Sequence, residues 1–191
     1  MPRLLRLTLN SLCALLIVQA AHADFNEGFS AYEKGDYETA LKEWTPAAKT
    51  GDPYAQHMLG FLYAHGRGVP INPEKTVELW TIAAEQGFAP AQYTLGSLYR
   101  KGLGVNRNQD EAVKWISRAA DSGHPDAQYA FGMMHAVGDG VLQDLSMSFM
   151  WLSLAAEARG LATDAFWKDV DEFLNPVQRL EADQLRKTWS Q

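Results

Sequence analysis

The stretch AQYTLGSLYRKGLGV at residues 91–105 decides the fold, because its pattern of alanine, glutamine, glycines and valine occurs three times along the chain. Its first six residues match AQHMLG at 55–60 and AQYAFG at 127–132, so both steps are 36 residues. A Gly-x-Gly-Val motif and an Ala-Ala pair recur with the same step, the motif at 66–69, 102–105 and 138–141 and the pair at 83–84, 119–120 and 155–156. Agreement of so many positions at one spacing indicates a tandem array of structural repeats.

Each repeat is predicted to be a helix, a glycine loop and a second helix. In the first helix of the first copy, one face carries apolar residues at helical spacing, namely Ala55, Leu59, Leu62 and Tyr63. A glycine recurs inside that helix, at Gly60, Gly96 and Gly132. Glycine there costs about 1 kcal/mol relative to alanine. Its recurrence therefore predicts a neighbouring helix that approaches too closely for a larger side chain.

The loop and the start of the second helix carry their own signals. The two glycines of each Gly-x-Gly-Val motif are predicted to take positive φ angles and to end the first helix. Good N-cap residues then recur 36 residues apart, at Asn72, Asn108 and Asp144, and Pro73 follows the first of them. In the second helices, Leu79, Trp115 and Trp151 share one column and are predicted to be core.

One such helical hairpin cannot bury its own apolar face, whereas stacked copies cover each other. The predicted fold is therefore all-α, a right-handed α/α superhelical solenoid. We place a capping half repeat at 24–51, repeats at 52–87, 88–123 and 124–160, and capping helices at 161–191. The last helix is predicted to start at Asn175-Pro176 and to be apolar on the side that carries Val177, Leu180, Leu185 and Trp189.

The consensus A-Q-x-x-x-G-x-x-x-x-x-G-x-G-V, followed by W-x-x-x-A-A, resembles the Sel-one-like repeat (SLR) family, a subclass of the tetratricopeptide-like solenoids. The resemblance covers about residues 52–160, and the segment 25–51 is closer to an ordinary tetratricopeptide repeat. Leu79 departs from the pattern, since the other two copies have tryptophan there. The resemblance implies an adaptor that assembles protein complexes, and exported bacterial members often serve envelope or secretion machinery.

Residues 1–23 are predicted to be a secretory signal peptide. Arg3 and Arg6 give a positive start, residues 12–18 form a short apolar run, and Ala21-His22-Ala23 is a small-x-small cleavage site. The run is too short for a membrane-spanning helix, so no stable span is expected after cleavage near Ala23. The expected location is the periplasm or the exterior. The single cysteine, Cys13, would leave with the signal, so no disulfide is expected.

The charge pattern argues against nucleic acid as a partner. Without the two signal arginines, 15 basic residues face 23 acidic ones that are spread along the chain. Binding to a phosphate backbone needs clustered lysine and arginine, which this sequence lacks.

The sequence also argues against catalysis, a metal site or a cofactor. It has no G-x-S-x-G, H-E-x-x-H, phosphate-loop or S-x-x-K motif. His57 and His65 lie eight residues apart without a third ligand at a suitable spacing. His124 stands at a helix start and His135 inside a first helix, so we predict a cap and a core residue.

In related solenoids the first helices line a concave groove. A projection of about 100° per residue places a second set of side chains opposite the apolar face. The predicted partner-binding residues are Tyr54, His57, Phe61, His65, Tyr93, Ser97, Lys101, Tyr129 and Met133. Tyr93 and Tyr129 have an alternative role, which is packing between adjacent repeats.

Three functions remain open on this basis. The leading hypothesis is a non-catalytic scaffold of the cell envelope, with a partner segment bound in the groove. The second is a small-ligand binder or weak enzyme that acts on cell-wall or polysaccharide material. The third is a structural subunit of a larger envelope assembly, docked through its ends.

Overall fold

The computed structural model describes residues 27–160 and 174–189, and their regular secondary structure is entirely α-helical. The predicted signal peptide and residues 161–173 of the predicted C-terminal cap lie outside this part of the chain. In chain order the helices are α1 at 27–33, α2 at Tyr37–Lys49, α3 at Pro53–His65, α4 at Pro73–Glu85, α5 at Ala89–Lys101, α6 at Gln109–Asp121, α7 at Pro125–Val137, α8 at Leu145–Ala158 and α9 at Pro176–Trp189. They form two compact units, one ending at Ala83 and the other beginning at Ala84.

The predicted N-caps of the second helices α4, α6 and α8 are confirmed. The Asn72 Oδ1 atom accepts a hydrogen bond from the Lys75 backbone N–H at 2.8 Å, and Pro73 is the first residue of α4. Asn108 caps α6 in the same way at 3.1 Å, and Asp144 caps α8 at 2.9 Å. Each cap satisfies a backbone donor that the first helical turn leaves unpaired.

The predicted glycine turns are also confirmed. The first helices α3, α5 and α7 end at glycines in the left-handed conformation, Gly66, Gly102 and Gly138. The second glycine of each motif has a positive φ as well, between 71° and 78°, at Gly68, Gly104 and Gly140. Because both glycines of each motif take the left-handed conformation, the chain turns back along the first helix and the helical hairpin is compact.

The glycines inside the first helices lie where a neighbouring helix comes closest, as predicted. A Cβ atom on Gly60 would lie 2.3 Å from Nε1 of Trp80, which is far inside van der Waals contact. The indole is held in place because its Nε1 donates to the His57 carbonyl oxygen at 2.9 Å. The equivalent pairs in the next two copies are Gly96 with Ile116, and Gly132 with Leu152.

A buried glutamine near the start of each first helix fixes that helix to the one before it. The Gln56 Nε2 atom donates to the carbonyl oxygen of Ala48, eight residues earlier, at 3.1 Å. The same bond recurs from Gln92 to Ala84 at 3.0 Å and from Gln128 to Ala120 at 3.4 Å. Each of these bonds crosses the short turn before a first helix and joins that helix to the end of the preceding one.

The core of the first unit brings α1 to α4 together. Ala40, Trp44, Leu59, Leu62 and Leu79 are buried in one cluster. The Trp44 ring leaves no room for a Cβ atom on Gly28, which repeats the packing of Trp80 on Gly60. Residues 27–49 thus form a helical hairpin of the same kind with a shorter loop.

The core of the second unit lies between α6, α7 and α8, and α9 covers one side of it. The buried cluster includes Ile116, Met134, Met150 and Trp151. Trp189 packs edge-on against Trp151, with ring centroids 5.7 Å apart. The indole of α9 therefore shields apolar surface that α8 would otherwise expose.

The predicted apolar side of α9 is wrong in part. Leu185 and Trp189 pack on the core, but Val177 is 74% exposed and Leu180 is 61% exposed. At about 100° per residue, Leu185 and Trp189 share a face with the buried Ala182, whereas the other two side chains point away from it. The small Ala182 side chain lets α9 approach α8 closely, and this determines which face is buried.

Candidate protein-interaction surface

One exposed apolar surface of the second unit is a stripe along α7. Tyr129 is 44% exposed, Met133 is 39% exposed and Val137 is exposed as well. These residues are spaced by four, so they share one helix face, while Phe131 and Met134 face the core. We call Tyr129, Met133 and Val137 the α7 stripe. Tyrosine and methionine are enriched at protein interfaces, and a contiguous exposed patch of them marks a candidate binding surface.

A charged side chain borders the α7 stripe at its N-terminal end. The Arg159 guanidinium carbon lies 5.2 Å from the centroid of the Tyr129 ring and forms an ion pair with Asp126. The arginine partly covers one face of the ring and provides donors beside it. The arrangement is an apolar strip with a polar edge, as in the core and rim of protein interfaces.

The α5 residues predicted for the same surface behave differently from one another. Lys101 is exposed at the end of α5, and Ser97 is half-buried. The Tyr93 ring stacks on His124, with centroids 5.2 Å apart. Tyr93 therefore packs on the residue that caps α7, whereas Tyr129 is exposed. His124 itself caps α7 as predicted, since its Nδ1 atom accepts from the Ala127 backbone N–H at 3.3 Å.

The predicted residues of the first unit lie along α3. Tyr54 is 52% exposed at the start of the helix, and His57 is half-buried against the Trp80 ring, with centroids 5.9 Å apart. Phe61 is half-buried and stacks on the exposed His65, with centroids 4.2 Å apart. This face is therefore less apolar toward solvent than the α7 stripe.

Arg67 has a role that sequence reasoning missed. Its guanidinium carbon lies 5.4 Å from the Tyr32 ring centroid, 5.2 Å from that of Tyr37 and 5.9 Å from that of Phe61, and the guanidinium donates to the Tyr32 hydroxyl. The residue between the two loop glycines is Leu103 in the second copy and Asp139 in the third. An arginine at this variable position was a signal that the loop contacts an aromatic neighbour.

A pocket of about 460 Å3 in the first unit was also missed. It opens between α2 and α4, and α3 forms its floor. Its apolar lining comes mainly from Ala48, Leu59, Tyr63, Leu79 and Ile82. The sequence signal was Leu79, the departure from the tryptophan of the other copies.

Within residues 27–160 and 174–189, no group of three or more His, Cys, Asp or Glu side chains is arranged to hold a metal ion. His135 is half-buried and packs edge-on against Phe131, with centroids 4.8 Å apart, as predicted for a core residue. In the same part of the chain, no helix combines the length and the apolar character needed to span a membrane.

The comparison with protein families identifies the repeats. The model of the family described as Sel1 repeat matches residues 53–88, 89–124 and 125–159, which together make up more than half of the chain. The chain belongs to the Sel1 repeat family. Each matched Sel1 repeat contains one first helix and one second helix, and the fold is an all-α repeat solenoid.

Solved structures agree with this assignment. A Sel1 repeat protein from Oxalobacter formigenes is 32% identical with a TM-score of 0.71, and the match covers 81% of this chain and 62% of that one. The protein c5321, a protective antigen of uropathogenic Escherichia coli with an SLR fold, is 33% identical with a TM-score of 0.67, covering 78% of this chain and 33% of that one. The chain thus spans less than two thirds of either relative.

A more distant match shows the fold alone. Cysteine rich protein B of Helicobacter pylori is 19% identical with a TM-score of 0.53, covering 72% of this chain and 96% of that one. No curated protein matches the sequence significantly. Sel1 repeat proteins are generally non-catalytic scaffolds, and their repeats typically mediate protein interactions.

Proposed function

We propose that this Sel1 repeat protein is an exported, non-catalytic adaptor that binds a segment of a cell-envelope protein on the exposed faces of its first helices. The α7 stripe carries this proposal, because it presents Tyr129 and Met133 to solvent beside a charged edge. The apolar residues of α7 that build the core lie on the other side of the helix.

Binding would rest on the burial of the apolar side chains of the α7 stripe. Each Å2 of apolar surface removed from water contributes about 25 cal/mol, from which the loss of translational and side-chain freedom is subtracted. A partner segment with two or three apolar side chains at matching spacing fits this strip. Arg159, which already pairs with Asp126, supplies further hydrogen-bond donors to polar groups at one margin of such a segment.

The binding test compares two double variants of the same protein. Tyr129→Ser with Met133→Ser removes the centre of the α7 stripe, and Val177→Ser with Leu180→Ser removes an exposed apolar pair of α9. Photo-crosslinking in an envelope fraction identifies the partner, and the affinity for that partner is then measured with each variant. We expect the first variant to lose at least about tenfold in affinity, as for a truncated interface anchor, and the second to bind like the parent.

Both variants must first show the parent helicity and melting temperature, so that lost binding reports on a lost surface. Equal loss in the two variants would mean that the α7 stripe has no special role. Equal retention would move the binding surface to another part of the protein.

Export is tested separately, on residues 1–23. The proposal predicts that the protein recovered from the periplasmic or extracellular fraction starts at Asp24, with residues 1–23 removed. Intact-mass measurement on the fractionated protein determines the N-terminus. Recovery of the chain with its first residues intact in the cytosolic fraction would contradict the export part of the proposal. It would not bear on partner binding by the α7 stripe.

A further inference from the structure

The pocket beside Leu79 occurs where this copy of the repeat lacks a large side chain. We call it the Leu79 pocket. It has a volume of about 460 Å3, which is within the range of ligand-binding cavities. Gln56 and Leu59 on α3 are buried at its floor, while Lys49, Glu78 and Ile82 are exposed at its rim.

The second copy shows what fills the equivalent space. There the counterpart of Leu79 is Trp115, which is buried. The Nζ atom of Lys114 lies 4.8 Å and the guanidinium carbon of Arg118 lies 5.1 Å from the Trp115 ring, and its Nε1 donates to the Glu111 carboxylate at 2.9 Å. With the 36-residue step, these three neighbours of the indole correspond to residues that line the Leu79 pocket, Lys75, Glu78 and Ile82.

The third copy gives the same result from the floor of the pocket. Its counterpart of Leu79 is Trp151, whose ring lies 5.5 Å from that of Phe131. Phe131 corresponds to Leu59, which is buried at the floor of the Leu79 pocket. Pocket residues on α4 and on α3 therefore correspond to residues that contact an indole elsewhere in the array. The Leu79 pocket is the space that a tryptophan side chain occupies in the other copies.

The rim of the pocket carries a net positive charge. Lys75 and Glu78 form an ion pair at 2.9 Å, which leaves Lys49 at the end of α2 without an ion-pair partner among the described residues. The whole chain has a net charge of −6, so this local excess of lysine is not a general property of its surface. A carboxylate beside a docked ring would lie near Lys49 and Lys75, where an ion pair is favourable.

We infer that the Leu79 pocket binds an aromatic side chain, tryptophan above all, of a partner protein in which an acidic residue stands next to it. The docked ring would take the place in this repeat that the indole of Trp115 or Trp151 takes in its own repeat. The Leu79 pocket does not include the α7 stripe, so the proposal for either surface can be wrong while the other holds.

Three short blocked peptides test the inference against the intact protein: Gly-Trp-Asp-Gly, Gly-Trp-Asn-Gly and Gly-Leu-Asp-Gly. Backbone amide resonances are followed during titration with each peptide. We expect saturable shifts at Gln56, Leu59 and Leu79 with the first peptide, and half-saturation at about threefold higher concentration with the second, as for one exposed ion pair. The third should give no saturable shift.

The variant Leu79→Trp refills the pocket with the residue of the other copies and should abolish the response. Leu142→Trp is the matched control, because it adds the same ring at an exposed loop position and should respond like the parent. If Leu79→Trp does not fold, Ala48→Leu narrows the pocket from α2 and is expected to weaken binding at least about tenfold through overlap with the ring. Shifts that persist in the filled variant, or no saturable shift with the first peptide, would overturn the inference.

Discussion

At the scale of single residues, Gly60 packs directly against the Trp80 indole. Gly60→Ala gains about 1 kcal/mol in helix propensity. The added methyl group would overlap a ring that is fixed by its hydrogen bond to the His57 carbonyl oxygen. Overpacking of a rigid core typically costs about 1–3 kcal/mol, and a clash with an immobile ring lies at the upper end. After the gain in helix propensity is subtracted, we expect a net loss of about 2 kcal/mol in the free energy of unfolding, measured by chemical denaturation.

Ser97→Ala is the control for that substitution. This substitution also introduces alanine into a first helix, at a half-buried position. We expect the free energy of unfolding to change by less than about 0.5 kcal/mol. If Gly60→Ala were as stable as the parent, the recurring glycine would have no packing role.

A second prediction at this scale concerns the pH dependence of stability through His124. Burial lowers the pKa of His124 below its ordinary value of 6.5, and the nearby Arg159 acts in the same direction, while Asp126 opposes them. The unfolded chain therefore binds the proton more tightly than the folded one. The neutral His124 ring therefore contributes to the free energy of unfolding above about pH 6.5. This contribution is lost as the pH falls through the folded-state pKa of His124. Protonation also removes the Nδ1 acceptor that caps α7.

His124→Asn keeps an N-cap acceptor and cannot titrate. The melting temperature of the parent should fall between about pH 7.5 and about pH 5.5 more steeply than that of the variant. Parallel curves for the two proteins would show that His124 does not contribute to the acid sensitivity. The variant also loses the ring that stacks on Tyr93, so the comparison uses the slope of each curve and not the absolute melting temperature.

At the scale of the element, α9 stabilises the second unit through one face only. Trp189→Ala removes the ring that packs on Trp151. Truncation of a fully buried tryptophan to alanine lowers the free energy of unfolding by about 3–5 kcal/mol. Because Trp189 is partly exposed, we expect its truncation to lower this free energy by about 1–3 kcal/mol. Val177→Ala, on the exposed side of the same helix, should change the free energy of unfolding by less than about 0.5 kcal/mol. Similar losses for both would contradict the observed orientation of α9.

The elements whose signals are local could be predicted from the sequence. The N-caps, the left-handed glycines and the close approach at Gly60 follow from residue types at a fixed spacing. The buried face of α9 does not, because Val177 and Leu180 are more apolar than Ala182, and only the neighbouring α8 selects the face. The Leu79 pocket was missed for a related reason: a smaller residue in a core column leaves a cavity only if the surrounding helices do not close in.

At the scale of the whole molecule, the chain has one cysteine, Cys13, and so no intramolecular disulfide is possible. Its stability rests on packing, caps and hydrogen bonds such as those of the buried glutamines. We expect identical thermal unfolding curves with and without a thiol reductant, measured by circular dichroism. A lower melting temperature in the reductant would indicate an intermolecular disulfide that contributes to stability.

The family and its general role as an interaction scaffold could be predicted from the repeat pattern, whereas the binding residues remain a prediction. Side-chain exposure depends on contacts between repeats that a projection of a single helix does not include. Tyr93 and Tyr129 occupy the same position of the repeat, yet one stacks on His124 and the other is exposed beside Arg159.

The recurring bond from each buried glutamine to an alanine carbonyl eight residues earlier also limits how such a gene can change. A duplication or crossover that preserves the 36-residue step gives every new glutamine its acceptor, so the array can lengthen or shorten by whole repeats. A recombination event displaced by even one codon in that turn leaves an amide buried without its acceptor, at a cost of about 1–3 kcal/mol. Selection should therefore tolerate variation in repeat number far more readily than variation in repeat length across this turn.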